Sequence, residues 1–302
     1  AWWQFDTGSG TTVFDSTSND VDGTMSGASW AGSGTFTPST STVVMAKSGT
    51  QTIAYNHLDN DFANLTINAG STTQLLSIDG TGSLQDINRA LTVNGILKSH
   101  PDATGARIRL RGTAYDLTVG SSVKTTALAD LARLQVDGNG TFNIPELTTK
   151  RIFTTSNGTI VSASGPLTVT EEIQVDSGTT FNANGNTIAA KAVDVNSGTL
   201  DLRNSTLNFS VTSDGDNIHL NGTSTLLSGN TNINGHGTTT RTGATFVDSA
   251  GFEVVGNVSN LNIQSDSDLT VIGSVTNCSF ADSTANIRQF FHTLDTQQLL
   301  DA

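Results

Sequence analysis

The chain has 302 residues, enough to bury a substantial core, and carries 14 Lys and Arg against 27 Asp and Glu, a formal net charge of −13. This charge repels phosphate backbones and anionic lipid, so composition argues against nucleic acid and membrane surfaces as partners. The single cysteine, Cys278, excludes an intrachain disulfide framework and a cysteine-rich metal site. Stability is therefore expected to come from packing and from hydrogen-bonded ladders.

The opening segment, residues 1–49, is predicted to be a small β element that caps the rest of the chain. It contains all three tryptophans, Trp2, Trp3 and Trp30. A repeat fold needs such a cap because its first coil otherwise leaves an open strand edge. The first residue, Ala1, leads us to expect a processed product or a piece of a longer protein.

Short strand-like phrases recur between residues 50 and 282. Most run apolar, polar, apolar and then a Gly turn; successive phrases start at residues 65, 91, 117 and 134, hence 26, 26 and 17 apart. A related phrase starts at Val175 and returns at Val195. A parallel β-solenoid tolerates this loose period because each coil needs only its inward residues in register, whereas its corners vary in length.

Alternation with period two predicts which side chains face the core. Asn204 and Ser205 are expected to form a corner between two inward pairs, of which Leu207 and Phe209 are the second. The inward set is expected to include Leu65, Ile67, Leu91, Val93, Leu117, Val119, Val193, Val195, Leu200 and Leu202.

The last segment, residues 283–302, carries the one helical pattern in the chain. Ile287, Phe290, Phe291 and Leu294 fall at i, i+3, i+4 and i+7 after a candidate cap at Ser283 or Thr284. We expect this apolar stripe to be covered by the final coil or by a neighbouring subunit, because an exposed stripe would promote association.

The predicted fold class is therefore all-β: a right-handed parallel β-solenoid, β-helix-like, with an N-terminal β cap and a C-terminal helix. The predicted boundaries are 1–49 for the cap, 50–282 for the solenoid and 283–302 for the helix. A pair of β-sandwiches is the alternative, because strands of a sandwich also recur at intervals of about 8 to 12 residues.

Two resemblances bear on the role of the chain. Segments 41–53, 62–70, 91–97 and 193–202 resemble repeats of large extracellular bacterial adhesin-like proteins and of bacteriophage fibre or virion structural proteins. The first 30 residues resemble the opening of a laminin-G-like or concanavalin-like domain. Solenoid phrases begin by about residue 62, too early for such a domain, so its calcium and sugar positions are not carried over.

Acidic turns are the candidate sites for calcium or glycan chemistry. Solenoid polysaccharide lyases and hydrolases place two or three carboxylates, often with Arg or Lys, on one outward face. The best local candidate combines Asp214, Asp216, Asn217 and His219, although it lacks the closing Glu of an EF-hand. A solvated Asp-Gly corner is the alternative interpretation, and it applies equally to segments 57–61 and 265–268.

No residue is assigned a catalytic, cofactor-binding or metal-binding role. The sequence contains no nucleophile elbow and no phosphate-binding Gly-Lys loop. The histidines never pair at metal-ligand spacing. They are His57, His100, His219, His236 and His292.

Several other residues have a structural and a functional interpretation. The three tryptophans are candidates for stacking on sugar rings or for the core of the opening segment. Cys278 is expected to point inward beside Phe280 as a small hydrophobe. Glycosylation sequons are expected from a chain rich in Asn and Thr. They occur at Asn64, Asn139, Asn157 and Asn204.

These features predict a non-enzymatic structural and binding protein of an extracellular particle, located on a virion surface or secreted. A bacteriophage virion component, such as a fibre, tail or capsid-surface protein, is favoured because irregular coils lie between a distinct opening and a terminal helix. A bacterial surface adhesin is the alternative, and a polysaccharide-degrading tailspike-type enzyme is the second. Expected partners are other copies of the chain, other virion proteins and a cell-surface glycan.

Overall fold

The computed structural model describes most of the chain, with gaps at many loops. The described residues are 2–3, 10–15, 17, 22–24, 29–31, 35–37, 40–55, 61–77, 84–101, 107–112, 115–155, 158–209, 217–221, 224–234, 244–248, 252–259, 261–263, 268–276, 279–280 and 286–290. They contain strands and turns but no helix. The chain divides into two compact units, Ala1–Thr168 and Val169–Ala302.

The first unit consists of short strands separated by turns. They are β1 (Trp2–Trp3), β2 (Thr12–Val13), β3 (Gly23–Thr24), β4 (Ser29–Ala31), β5 (Thr35–Thr37), β6 (Thr42–Met45), β7 (Gly49–Tyr55), β8 (Phe62–Ile67), β9 (Ser71–Ser77), β10 (Leu84–Val93), β11 (Ile96–Ser99), β12 (Arg107–Gly112), β13 (Tyr115–Val119), β14 (Arg133–Gly138), β15 (Gly140–Ile144), β16 (Leu147–Thr154) and β17 (Thr159–Ala163). Strand β18 (Leu167–Val175) includes the boundary with the second unit.

The second unit continues with strands of similar length. They are β19 (Thr180–Asn182), β20 (Thr187–Asn196), β21 (Thr199–Asp201), β22 (Thr206–Phe209), β23 (Asn217–Asn221), β24 (Thr225–Leu227), β25 (Thr231–Asn234), β26 (Ala244–Asp248), β27 (Phe252–Ser259), β28 (Leu261–Ile263), β29 (Asp268–Ile272), β30 (Val275–Thr276), β31 (Ser279–Phe280) and β32 (Asn286–Phe290).

From β6 onward, strands of the first unit pair in parallel with strands one coil later, and the paired residues occupy equivalent positions. Leu65 of β8 pairs with Leu91 of β10, and Leu91 pairs with Leu117 of β13. The phrases that recur every 26 residues therefore lie directly above one another. Parallel ladders also join β10, β12, β14 and β16 in series, and β7, β9 and β11.

The second unit is built in the same way. Leu207 of β22 pairs in parallel with Ile233 of β25, which pairs with Val258 of β27. A second ladder joins β20, β23, β26, β28 and β31. This register confirms the predicted all-β parallel β-solenoid and excludes the sandwich alternative, whose strands would pair mostly antiparallel. The right-handed sense stays a prediction.

Apolar side chains alternate into the interior of the coils, as the period-two pattern predicts. Nine of the ten residues expected to face inward are buried, and Val119 alone is half-buried. Leu207 and Phe209 are also buried, with the exposed Asn204 at the corner before them. Burial of these side chains is the main source of stability, since each contributes about 1.5 to 3 kcal/mol.

One corner of the second unit uses the left-handed backbone region in three successive coils. Asn184, Asn204 and Asn230 have φ values of 51°, 58° and 57°. Asparagine tolerates this region better than most residues because its short polar side chain forms local hydrogen bonds. The Asn-rich composition of the chain therefore matches the turns that close its coils.

The two ends differ from the predicted organisation. Asn286–Phe290, inside the predicted terminal helix, is a strand that pairs in parallel with β29. The helix prediction is wrong there because the ladder gives the backbone partners in the preceding coil; the remainder of segment 283–302 lies outside the described residues. Thr42–Met45, assigned to the cap, pairs with β8 and belongs to the ladder.

The cap itself stays a prediction. Within residues 1–49, β1 pairs in parallel with β7, whereas β2 with β3 and β4 with β5 form short antiparallel pairs. These antiparallel pairs distinguish the opening segment from the coils that follow it.

Candidate functional site

The predicted calcium candidate is only partly described by the structure. Asp214 and Asp216 lie outside the described residues, whereas Asn217 and His219 belong to β23. His219 is half-buried and pairs in register with Asp194 of the preceding coil. The structure therefore does not bring the four predicted residues together in a described site.

Of each of the other two predicted acidic turns, segments 57–61 and 265–268, the structure describes one residue. Asp61 accepts a hydrogen bond from Nδ2 of Asn88 at 3.2 Å. Asp268 begins β29, and the rest of segment 265–268 lies outside the described residues. Of the remaining histidines only His100 is described, and its backbone N–H donates to the carbonyl of Leu75.

The structure describes only part of the tryptophans, the cysteine and the sequons. Trp2, Trp3 and Trp30 lie on strands whose side chains are not described, and Cys278 and Asn157 lie outside the described residues. The Asn64 side chain donates to the carbonyls of Thr40 and Ser41, so its amide is already engaged. Asn139 and Asn204 are exposed.

A charged cluster that sequence reasoning missed lies on the outward side of β10, β12 and β14. We call Asp86, Arg109, Arg111 and Asp137 the arginine–carboxylate cluster. The parallel register places Asp86 beside Arg109, and Arg111 beside Asp137. Arg109 and Arg111 point to the same side because they are two residues apart on one strand.

Arg109 links the carboxylates of two different coils. Its Nε and Nη2 donate to Asp86 at 2.7 and 2.6 Å, and its Nη1 lies 3.3 Å from Oδ2 of Asp137. Arg111 adds a third bond to Asp86 at 3.0 Å. The side chain of Asp86 is only 6% exposed, so the carboxylate loses most of its hydrogen bonds to water. The arginine donors replace those hydrogen bonds.

The electrostatics of the cluster follow from these bonds. The hydrogen bonds to Asp86 raise the pKa of Arg109 above its ordinary value, against the opposing effect of partial burial, and the negative charges of Asp137 and Asp61 raise it further. Asp86 accepts hydrogen bonds from the guanidinium groups of Arg109 and Arg111, and Asp137 forms an ion pair with Arg109. A general acid, by contrast, must hold a proton that it can donate.

A second set of arginines lies beside the cluster. We call Arg107, Arg133 and Arg151 the arginine row. Arg107 pairs in register with Arg133. Arg151 directly precedes Ile152, the partner of Leu134, so the register places it next to Arg133. The guanidinium carbon of Arg133 lies 3.7 Å from the ring centroid of Phe153, a cation–π contact.

The sequence contains a signal for this face. Residues 107–111 read Arg-Ile-Arg-Leu-Arg, which places three cations on one side of a strand and two apolar residues on the other. The acidic partner Asp86 is 23 positions from Arg109. Because the coil length varies, the sequence alone does not reveal that these residues meet.

Two further ion pairs lie elsewhere. Lys124 and Glu146 are 2.5 Å apart and both are substantially exposed. In the second unit, Arg203 donates from Nε and Nη2 to Asp201, and its backbone N–H donates to the same carboxylate. Burial alone would raise the pKa of Asp201, but these hydrogen bonds outweigh it and hold the pKa below its ordinary value.

Polar side chains in the second unit form hydrogen bonds from one coil to the next. Asn234 donates to Oδ1 of Asn208 at 2.7 Å and accepts from the hydroxyl of Ser259 at 3.1 Å. In a neighbouring column, Asn257 donates to Oδ1 of Asn232 at 2.8 Å. These amide ladders connect successive coils on the outside of the solenoid.

Within the described ranges, no three His, Cys, Asp or Glu side chains form a group suited to a metal ion. In the same part of the chain, no helix is long and apolar enough to cross a membrane. Comparisons with family models, with curated proteins and with solved structures found no match.

Proposed function

We propose that this chain is a non-enzymatic structural and binding component of an extracellular particle, and specifically a bacteriophage virion protein such as a fibre, tail or capsid-surface component. The observation that carries the proposal is the coil-to-coil bonding of exterior polar groups. Asn208, Asn234 and Ser259 form one such column. A stack of coils joined inside by apolar packing and outside by side-chain ladders suits a protein that must stay rigid without disulfides.

The state of the charged groups supports a scaffold over an enzyme. Asp86 accepts three hydrogen bonds from two arginines, and Asp137 contacts Arg109. These carboxylates are occupied in holding neighbouring coils together. In a particle component the outer surface presents such groups for recognition, and assembly joins the chain to other copies or to other virion proteins.

A polysaccharide-degrading tailspike-type enzyme is the second candidate, and the arginine–carboxylate cluster is the observation that favours it. The cluster combines two carboxylates with two arginines on one outward face, which are the residue types that acid–base chemistry on a glycan uses. An enzyme, however, needs one group that donates a proton and another that accepts one. Asp86 and Asp137 both contact guanidinium groups, so their contacts do not distinguish a proton donor from a proton acceptor.

Incubation with a panel of bacterial surface polysaccharides separates the two candidates. We expect binding without release of reducing ends or unsaturated sugars. Product release that disappears in both Asp86→Asn and Asp137→Asn, with folding retained in each, would establish the enzyme. Light scattering tests assembly: a particle component is expected to exceed the mass of one chain, and a monomer at all concentrations would count against it.

A further inference from the structure

Basic residues are concentrated on one face of the first unit, although the chain as a whole is strongly acidic. Five of the nine arginines lie on β12, β14 and β16. They are Arg107, Arg109, Arg111, Arg133 and Arg151. In a chain with a net charge of −13, such a concentration requires a reason beyond solubility.

The arginine row places like charges directly beside each other. Arg107 and Arg133 are partners in a parallel ladder, where strands lie about 4.8 Å apart and directly opposed like charges are destabilising. The stacking of Arg133 on Phe153 fixes one guanidinium. Arg107 is half-buried and forms no ion pair with any described residue. Among the described residues, no carboxylate neutralises the positive charge of Arg107.

The adjoining arginine–carboxylate cluster provides the opposite kind of group. Asp86 and Asp137 hold Arg109 and Arg111 in place. Asp137 is 19% exposed and Arg111 is 45% exposed, so both acceptors and donors reach the surface beside the row. A ligand lying across this face would therefore meet guanidinium groups and the Asp137 carboxylate side by side.

We propose that the arginine row and the adjoining cluster bind an acidic polysaccharide. This inference rests on the proposed function for its choice of a cell-surface glycan. Guanidinium groups match carboxylate or sulfate oxygens through paired hydrogen bonds, and their spacing from coil to coil lets one linear polyanion contact several of them. The exposed part of Asp137 accepts hydrogen bonds from sugar hydroxyls, which a ligand made only of phosphates would lack.

Nucleic acid is the competing polyanion, and the charges of this face and of the whole chain argue against it. A nucleic-acid backbone brings a phosphate at every step and relies on several contacts for affinity. The partly exposed Asp137 would repel those phosphates, as would the net negative charge of the chain. A polysaccharide alternates charged groups with neutral hydroxyls and therefore fits a face that alternates arginine with aspartate.

Biolayer interferometry with the full chain tests the proposal. The probes are heparin as a sulfated polymer, polygalacturonate as a carboxylated one, dextran as a neutral control and single-stranded oligothymidylate. Arg107→Gln/Arg133→Gln removes two charges from the row, and Lys47→Gln/Lys191→Gln removes two charges elsewhere. We expect binding to at least one acidic polysaccharide but not to dextran, weakened by about tenfold in the arginine variant and unchanged in the lysine variant.

Three results would overturn the inference: no binding to either acidic polysaccharide, equal weakening in both double variants, or tighter binding to oligothymidylate than to the polysaccharides. If the double variant loses its fold by circular dichroism, Arg107→Gln alone carries the test, since Arg107 forms no ion pair with the part of the chain that the structure describes. Failure to bind leaves the proposed structural role intact. Shortening of the polymer would instead refute the non-enzymatic role, and the proposal that this face binds an acidic polysaccharide would still hold.

Discussion

Arg109 donates from both Nε and Nη2 to the carboxylate of Asp86, a residue 23 positions earlier in the chain and one coil away. This pair and the bond from Arg111 connect β10 to β12 through side chains as well as backbone. The carboxylate is nearly buried, so its loss leaves cations without their main acceptor.

Asp86→Ala is therefore expected to lower the free energy of unfolding by about 1 to 3 kcal/mol, measured by denaturant titration. Glu146→Ala is the matched control because it removes a carboxylate from an exposed ion pair, Lys124–Glu146, and should cost less than about 1 kcal/mol. Equal losses in the two variants would contradict the structural role given to the cluster.

Two buried threonines allow a hydrogen-bonded hydroxyl to be compared with one that has no partner among the described residues. The Oγ1 of Thr73 is buried with no hydrogen-bond partner among the described residues, whereas the Oγ1 of Thr231 donates to the carbonyl of Leu202 at 2.8 Å. Thr73→Val should be neutral or stabilising, and Thr231→Val should cost about 1 to 3 kcal/mol. Thermal unfolding of both variants checks this, and a greater loss at Thr73 would show that its hydroxyl has a partner after all.

A close approach between coils makes one glycine intolerant of any side chain. A Cβ at Gly198 would lie 2.7 Å from the carbonyl oxygen of Asp176 and 2.8 Å from Cγ1 of Val175. Gly198→Ala is expected to cost about 1 to 3 kcal/mol, because the backbone must move. At Gly229 the nearest atom would be Cγ of Arg203, 3.6 Å away, so Gly229→Ala should change stability by less than about 1 kcal/mol. A tolerated Gly198→Ala would mean that the coils separate easily.

Acid should weaken the second unit through Asp201. Its folded pKa lies below the ordinary value of 3.8, so its contribution to stability is complete above that value. The contribution is lost as the pH falls from the ordinary value through the lowered folded pKa. Over that range the unfolded chain takes up a proton that the folded chain does not yet bind. Free energies of unfolding measured from pH 5 downward should therefore fall less steeply in Asp201→Asn than in the unchanged protein; parallel curves would remove Asp201 from the account.

The sequence was sufficient to predict the repeat and its inward face. Leu65, Leu91 and Leu117 begin phrases 26 residues apart, and that spacing equals the ladder register. Alternation then assigned the buried side chains because a strand has a fixed period of two. Val119 is the exception: it ends its strand at a turn, and β13 pairs with β15 of the following coil only at Tyr115 and Asp116.

The candidate site was not predictable in the same way. Asp86 and Arg109 meet only after the coil length between them is known, and coils of this chain differ in length. The helix prediction for the terminal segment failed for a different reason. Ile287 and Phe290 satisfy helical spacing, but five residues also fit a strand, and pairing with Leu269 and Ile272 decides between them.

In the described coils, the parallel ladders and the side-chain ladders join residues of adjacent coils; Asn208 and Asn234, for example, are 26 positions apart. Within each unit, such contacts approximate a one-dimensional array in which a coil interacts with its nearest neighbours. Folding in such an array can start at one coil and spread to the next without closing a loop longer than a single turn. A damaging substitution should therefore loosen its own coil and the adjacent coils first, and hydrogen exchange should record the damage as a local gap in protection.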